Sequence, residues 1–158
     1  MGQEKKGLTV ALEMLSRRDR SEAELRRRLR DKGICDEEID AVTVRLKELN
    51  YLDDRRLAER LAAAAVSGGK GFGIRLSRDL VRRGIPRGVV DEVIADIASA
   101  YDERELVREL VLRKFPAFQS STLDNREKIR MLNYLLRKGF SRSAVFDVMR
   151  HPTADFTD

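Results

Sequence analysis

Tryptophan is absent from this chain, and cysteine and histidine occur once each, as Cys35 and His151. A lone cysteine excludes an internal disulfide framework, and one cysteine with one histidine cannot make a Cys/His metal set. No catalytic triad or dyad can be assembled either, so the chain reads as a non-enzyme with no cofactor. Proline is confined to positions 86, 116 and 152, which leaves long stretches free of helix breakers. Aromatics make up only 6%, so the core must be built from small aliphatic side chains. No apolar run approaches the length of a signal peptide or a membrane span. The expectation is a cytoplasmic protein with no membrane partner.

Charge and repetition are abundant. Asp, Glu, Lys and Arg make up 37% of the 158 residues, and 32 bases against 27 acids give a net charge of +5. Three times a basic residue precedes a glycine and an apolar residue follows it: Lys32-Gly33-Ile34, Arg83-Gly84-Ile85 and Lys138-Gly139-Phe140. Counted from each glycine, position −8 is Leu25, Leu76 or Met131, and position −4 is Leu29, Leu80 or Leu135. Position +6 is Ile39, Val90 or Val145, and position +9 is Val42, Val93 or Val148. Such self-similarity marks one structural unit used three times.

The apolar spacing is helical throughout, with no strand-like alternation, so the fold class expected is all-α. Repeat 1 spans 8–50. Leu8, Ala11, Leu12 and Leu15 share one helical face, and Ser21 with Glu24 forms a capping box that starts a second helix. Gly33 ends that helix as a left-handed C′ residue, and a third follows with Ile39, Val42, Leu46 and Leu49 inward. Repeat 2 spans 51–100: Asp53 caps its first helix, the helix ending at Gly84 presents Leu76 and Leu80, and Pro86 suits the first turn of the next. Repeat 3 spans 101–150, with a long loop from Pro116 to Asp124. Residues 1–7 and 151–158 lack periodicity and read as flexible tails. Three helices per repeat, with a glycine turn between the second and third, make a helix-turn-helix-like module, and stacked modules predict an elongated curved array.

The charges sort by helix. The third helix of repeat 1 carries Asp36, Glu37, Glu38, Asp40 and Glu48 against Arg45 and Lys47, and that of repeat 2 carries Asp91, Glu92 and Asp96 against Arg87. Phosphate repels such helices, so neither suits a major groove. The middle helices are basic. With −8 and −4 facing the core, −6 and −2 point outward, which selects Arg27, Arg78, Arg82 and Arg137. Arg30, Arg75 and Arg130 on the same helices, and Lys70 in a glycine-rich loop, complete the candidate partner- or DNA-binding set. Position −1, held by Lys32, Arg83 and Lys138, lies nearer the core, where its stems snorkel. Charged faces of this kind also serve simply as solvated surface.

Gly68-Gly69-Lys70-Gly71-Phe72-Gly73 superficially suggests a phosphate loop, but Lys70 is followed by Gly71 rather than Ser or Thr, and a helix precedes it. A flexible hinge with a basic tip is the plainer reading. Asp53-Asp54 likewise reads as a helix cap and first-turn acid rather than a carboxylate pair.

The repeats, the Asn50-Tyr51-Leu52-Asp53-Asp54 junction, the Leu80-Val81-Arg82-Arg83-Gly84-Ile85 segment and the closing Arg137-Lys138-Gly139-Phe140-Ser141 together resemble the RecX family of recombination regulators. The resemblance runs from about Leu8 to Met149. Asn50 departs from the glycine usual there, though asparagine also tolerates a left-handed turn. The resemblance implies a rod of three modules lying in the groove of a RecA recombinase filament on single-stranded DNA. It implies modulation, mostly inhibition, of the strand exchange, ATPase and coprotease activities that serve homologous recombination, DNA repair and the SOS response. Some members also bind DNA directly. The alternatives are a helix-turn-helix-like protein that coats single- or double-stranded DNA, and a salt-insensitive interaction scaffold; a monomer is expected in each case.

Overall fold

The computed structural model describes residues 2–116 and 124–151, so most of the loop expected after Pro116 and the tail from 152 lie outside the described residues. Nine α-helices and no strand occur among the described residues, in the order α1 (Gly2–Arg17), α2 (Glu22–Asp31), α3 (Asp36–Glu48), α4 (Asp54–Ser67), α5 (Gly73–Arg82), α6 (Arg87–Ala100), α7 (Glu103–Lys114), α8 (Asn125–Arg137) and α9 (Arg142–Arg150). The all-α reading holds. By Cα proximity the chain divides into two compact units, one of residues 1–61 with 79–93 and the other of 62–78 with 94–158. Each of α4, α5 and α6 contributes residues to both.

All twelve apolar positions that repeat about the three glycines are buried, none more than 3% exposed. The cause is local. At the end of α2 the Gly33 N–H donates to the Arg30 carbonyl at 2.8 Å and the Ile34 N–H to the Leu29 carbonyl at 3.1 Å, with Gly33 at φ +77°. Gly84 and Gly139, at φ +82° and +96°, close α5 and α8 with the same pair of bonds. This Schellman geometry satisfies carbonyls that the helix end leaves orphaned and turns the next apolar residue inward: Ile34, Ile85 and Phe140 are all buried. Asn50, at φ +57°, closes α3 in the same way, its N–H donating to the Lys47 carbonyl and that of Tyr51 to the Leu46 carbonyl.

In the first unit α1, α2 and α3 pack pairwise around Ala11, Leu25, Leu29, Ile34, Ile39, Val42, Leu46 and Leu52. Leu8, Leu12 and Leu15 line this core from α1 and are only partly buried. Two details differ from the sequence reading. Helix α1 starts at Gly2, before its apolar pattern begins, and the Gly7 N–H donates to Glu38 Oε1 at 2.8 Å. Leu49, expected inside, is 42% exposed because it is the C-cap of α3, where the chain leaves the helix; Leu52 fills the core instead.

In the second unit α9 packs on α7 and α8. Asp124 caps α8 in a capping box with Glu127, and Ser141 caps α9 while donating its N–H and hydroxyl to Glu103 at 2.6 and 2.8 Å. The glycine-rich segment before α5, expected to be a pliant hinge, is bonded down. The Phe72 N–H donates to the Lys138 carbonyl at 2.9 Å, and the Phe72 ring stacks on Phe140 with centroids 5.5 Å apart.

The capping glycines differ in what surrounds them. A Cβ on Gly33 would meet nothing within 4 Å, whereas one on Gly139 would lie 2.1 Å from the Phe72 carbonyl oxygen and 2.8 Å from the Arg75 nitrogen. Gly33→Ala should therefore cost only the left-handed strain, about 1–2 kcal/mol. Gly139→Ala must also displace backbone and should cost more than about 3 kcal/mol. Urea denaturation midpoints of the two variants check the ranking.

Candidate functional site

The candidate cations fall into both units. Arg27, Arg78, Arg82 and Arg137, the four assigned outward positions, are all exposed, as are Arg30, Lys70, Arg75 and Arg130. Of the −1 residues, Arg83 and Lys138 are half-buried as expected, but Lys32 is exposed as the C-cap of α2. Lys138 places its Nζ 5.4 Å from the centre of the Tyr134 ring, a cation–π contact.

Pairing separates these cations further. Arg26, never an outward candidate, is tied to Glu22 at 2.9 Å, Asp40 at 2.6 Å and the Thr43 hydroxyl at 3.0 Å. Arg30 meets Asp36 at 2.6 Å and Arg82 meets Asp79 at 2.5 Å. Both pairs are solvent-exposed and hence weak, so a partner's acid can replace either carboxylate. Among the described residues no ion pair engages Arg27, Arg78, Arg130 or Arg137. Within the second unit, Arg75 and the Lys70 turn gather at the end of α8: the Lys70 carbonyl accepts from Lys138 Nζ at 3.5 Å, and Arg75 lies against Gly139.

The first unit holds a feature that periodicity did not reveal. Arg18, Glu24, Asp79, Arg82 and Arg83 line an open pocket of about 600 Å³. Two of these residues, Glu24 and Arg83, are bridged by Ser21, which is fully buried. The Ser21 hydroxyl accepts from the Glu24 N–H at 3.1 Å and donates to the Arg83 carbonyl, so one side chain caps the start of α2 and the end of α5. Gly84 permits this approach, because a Cβ there would come 2.6 Å from Ala23 Cβ. Burial alone would raise the Glu24 carboxyl. The Arg18 hydrogen bond at 3.0 Å, and after it the Ser21 backbone N–H, outweigh burial and hold it below its ordinary value.

Asp54 is also more than a first-turn acid. It accepts the Glu22 N–H at 2.8 Å, tying α4 to the start of α2. Burial pushes its carboxyl up, with the Glu22 N–H opposing and the Glu22 charge reinforcing the shift. Asp53 is the cap the sequence indicates, accepting the Arg56 N–H at 2.9 Å. Cys35 is exposed and makes no side-chain cap bond. His151 is the exposed C-cap of α9, and no group of three or more His, Cys, Asp or Glu side chains able to hold a metal occurs among the described residues. No helix among them is long and apolar enough to cross a membrane.

Helical modules closed by glycine turns, with exposed arginines on their middle helices, define an all-α protein built from helix-turn-helix-like units. Sequence models of the first and third three-helix domains of RecX match residues 8–46 and 102–149. The regulatory protein RecX of Syntrophotalea carbinolica is 35% identical over 136 residues, which cover 86% of this chain and 89% of the relative. That of Trichlorobacter lovleyi is 38% identical over 131 residues, covering 83% and 85%. The chain belongs to the RecX family of regulatory proteins. Its fold is shared with the crystal structure of RecX from Lactobacillus salivarius, at a TM-score of 0.80 and 21% identity over 95% of this chain and 96% of that one.

Two variants test the pocket. Ser21→Ala removes both caps at once and should lower stability by about 1–2 kcal/mol. Glu24→Gln should cost less than about 1 kcal/mol at neutral pH, because Arg18 is solvent-exposed. The folded Glu24 carboxyl lies below its unfolded value of 4.5, so its contribution is complete above that pH and lost as the pH falls through the folded value. The gap between Glu24→Gln and the parent, measured by urea midpoints, should therefore close on acidification.

Proposed function

We propose that this protein binds the RecA recombinase filament on single-stranded DNA and restrains its strand exchange, ATP hydrolysis and coprotease activities. It does so in the cytoplasm as a monomer, by occupying a surface rather than by chemistry of its own. Membership of the RecX family supports a regulatory role. The reading is carried by one observation: Arg27, Arg78 and Arg137 stand exposed on three successive middle helices with no ion-pair partner among the described residues. An exposed cation left unpaired contributes little to folding and remains available to an acidic protein surface or a phosphate. The acidic residues of α3 and α6 argue against sequence reading by third helices. On this reading each three-helix repeat, 8–50, 51–100 and 101–150, presents its middle helix to the filament.

Replacing Arg27, Arg78, Arg82 and Arg137 together by Glu should weaken inhibition of the recombinase ATPase on single-stranded DNA by about tenfold or more. The circular-dichroism spectrum should stay unchanged, since none of the four is buried. Unchanged inhibition would overturn the assignment. Inhibition that tracks the affinity for bare DNA, with no recombinase contact, would replace it by DNA coating.

A further inference from the structure

Two isoleucines stand in water at one register of the repeat. Counted from Gly84 and Gly139, position −10 is Ile74 on α5 and Ile129 on α8. Their exposures are 59% and 58%. Ile74 lies on the side of α5 away from the buried Leu76 and Leu80, and Ile129 on the side of α8 away from the buried Met131 and Leu135. In the first repeat the same position is Ala23. A small residue there has a structural cause, because a Cβ on Gly84 would already come 2.6 Å from Ala23 Cβ. The two isoleucines have no such cause in the core.

Single exposed apolar side chains are ordinary on a protein surface. Recurrence at one register, and the neighbours on each helix, set these two apart. Arg78 follows Ile74 by one turn, and Arg126, Asn133 and Arg137 share the outer face of α8 with Ile129. Arg78, Arg126 and Arg137 are exposed, and no ion pair engages them among the described residues. All of these residues belong to the second unit. An aliphatic centre bordered by uncommitted arginines has the composition of an interface core with its polar rim.

We infer that Ile74 and Ile129 are anchor residues that enter aliphatic sockets bordered by carboxylates on a protein partner. On the functional reading above, on which this inference rests, that partner is the recombinase in its filament. A nucleic-acid backbone would satisfy the arginines alone. Phosphate offers an isoleucine nothing, and the bases of a single strand stack on aromatic rings rather than on branched aliphatic side chains. A protein surface supplies both halves, an apolar pocket for the side chain and acid for the cations around it. The arginines then speed and orient the encounter, and the isoleucines hold the docked complex.

Ile74→Ser and Ile129→Ser together remove both apolar side chains without changing charge, whereas Ile74→Leu and Ile129→Leu keep an apolar side chain at each site. Affinity of the full-length protein for immobilised recombinase filaments on single-stranded DNA should fall about tenfold or more in the double serine variant. It should stay within about threefold of the parent in the double leucine variant. Salt dependence, affinity for a bare oligothymidylate and melting temperature should all be kept by the serine variant, since no charge and no buried side chain is lost. The anchors are overturned, and the functional reading left intact, if the serine variant binds the filament like the parent while the four-arginine variant does not. Equal losses toward the filament and the bare oligonucleotide would also overturn them, by assigning the isoleucines to nucleic acid. A parent protein with no affinity for the filament would refute the functional reading itself, and with it the partner named here.

Discussion

A helix can be closed and redirected within two residues only if one of them adopts a positive φ, and that constraint underlies the structure at five helix ends. Gly33, Gly84 and Gly139 meet it after α2, α5 and α8, Asn50 meets it after α3, and Gly69, at φ +58°, after α4. At each of the first three, two carbonyls that would otherwise be orphaned accept amide hydrogens. Only then can the apolar residue that follows point back toward the core. The twelve repeated core positions are buried because the turn aims them, so backbone conformation and hydrophobic burial are one device here.

The same turns decide how charge is used. With the leucines of α2 inside, Arg26 lies over α3 and is engaged by Glu22 and Asp40, while Arg27, next in sequence, is exposed. Much of the acid on α3 serves inside the protein: Asp36 and Asp40 hold α2, and Glu38 holds the Gly7 amide. The modest net charge therefore conceals a division of labour. Cations beside the helix–helix seams, such as Arg26, join the helices of a module, and those one position round the helix, such as Arg27, stay exposed.

Legibility followed the range of the interaction. The glycine turns, the Ser21 and Asp53 caps and the buried Leu25, Leu29, Leu80 and Leu135 could be read from sequence because each depends on residues within one or two helical turns. Leu49 was misread because 3.6-residue periodicity continues past the point where Asn50 breaks the helix. Asp54 was taken for a first-turn acid because its acceptor role involves Glu22, more than thirty residues earlier. The glycine-rich segment suggested a hinge by composition, yet Phe72 within it is held by Lys138 and Phe140, which no local pattern discloses.

Sequence alone determined the helical class, the threefold recurrence, the inward apolar positions and the outward arginines, since helical periodicity and glycine stereochemistry act over a few residues. Tertiary structure alone decided which cations remain unpaired and which surfaces adjoin. Ser21 reaching the Arg83 carbonyl and the pocket bounded by Arg18 and Arg82 both depend on segments distant in the chain. Whether a charge is spent or free is set by its nearest neighbour in space, and folding chooses that neighbour from the whole chain.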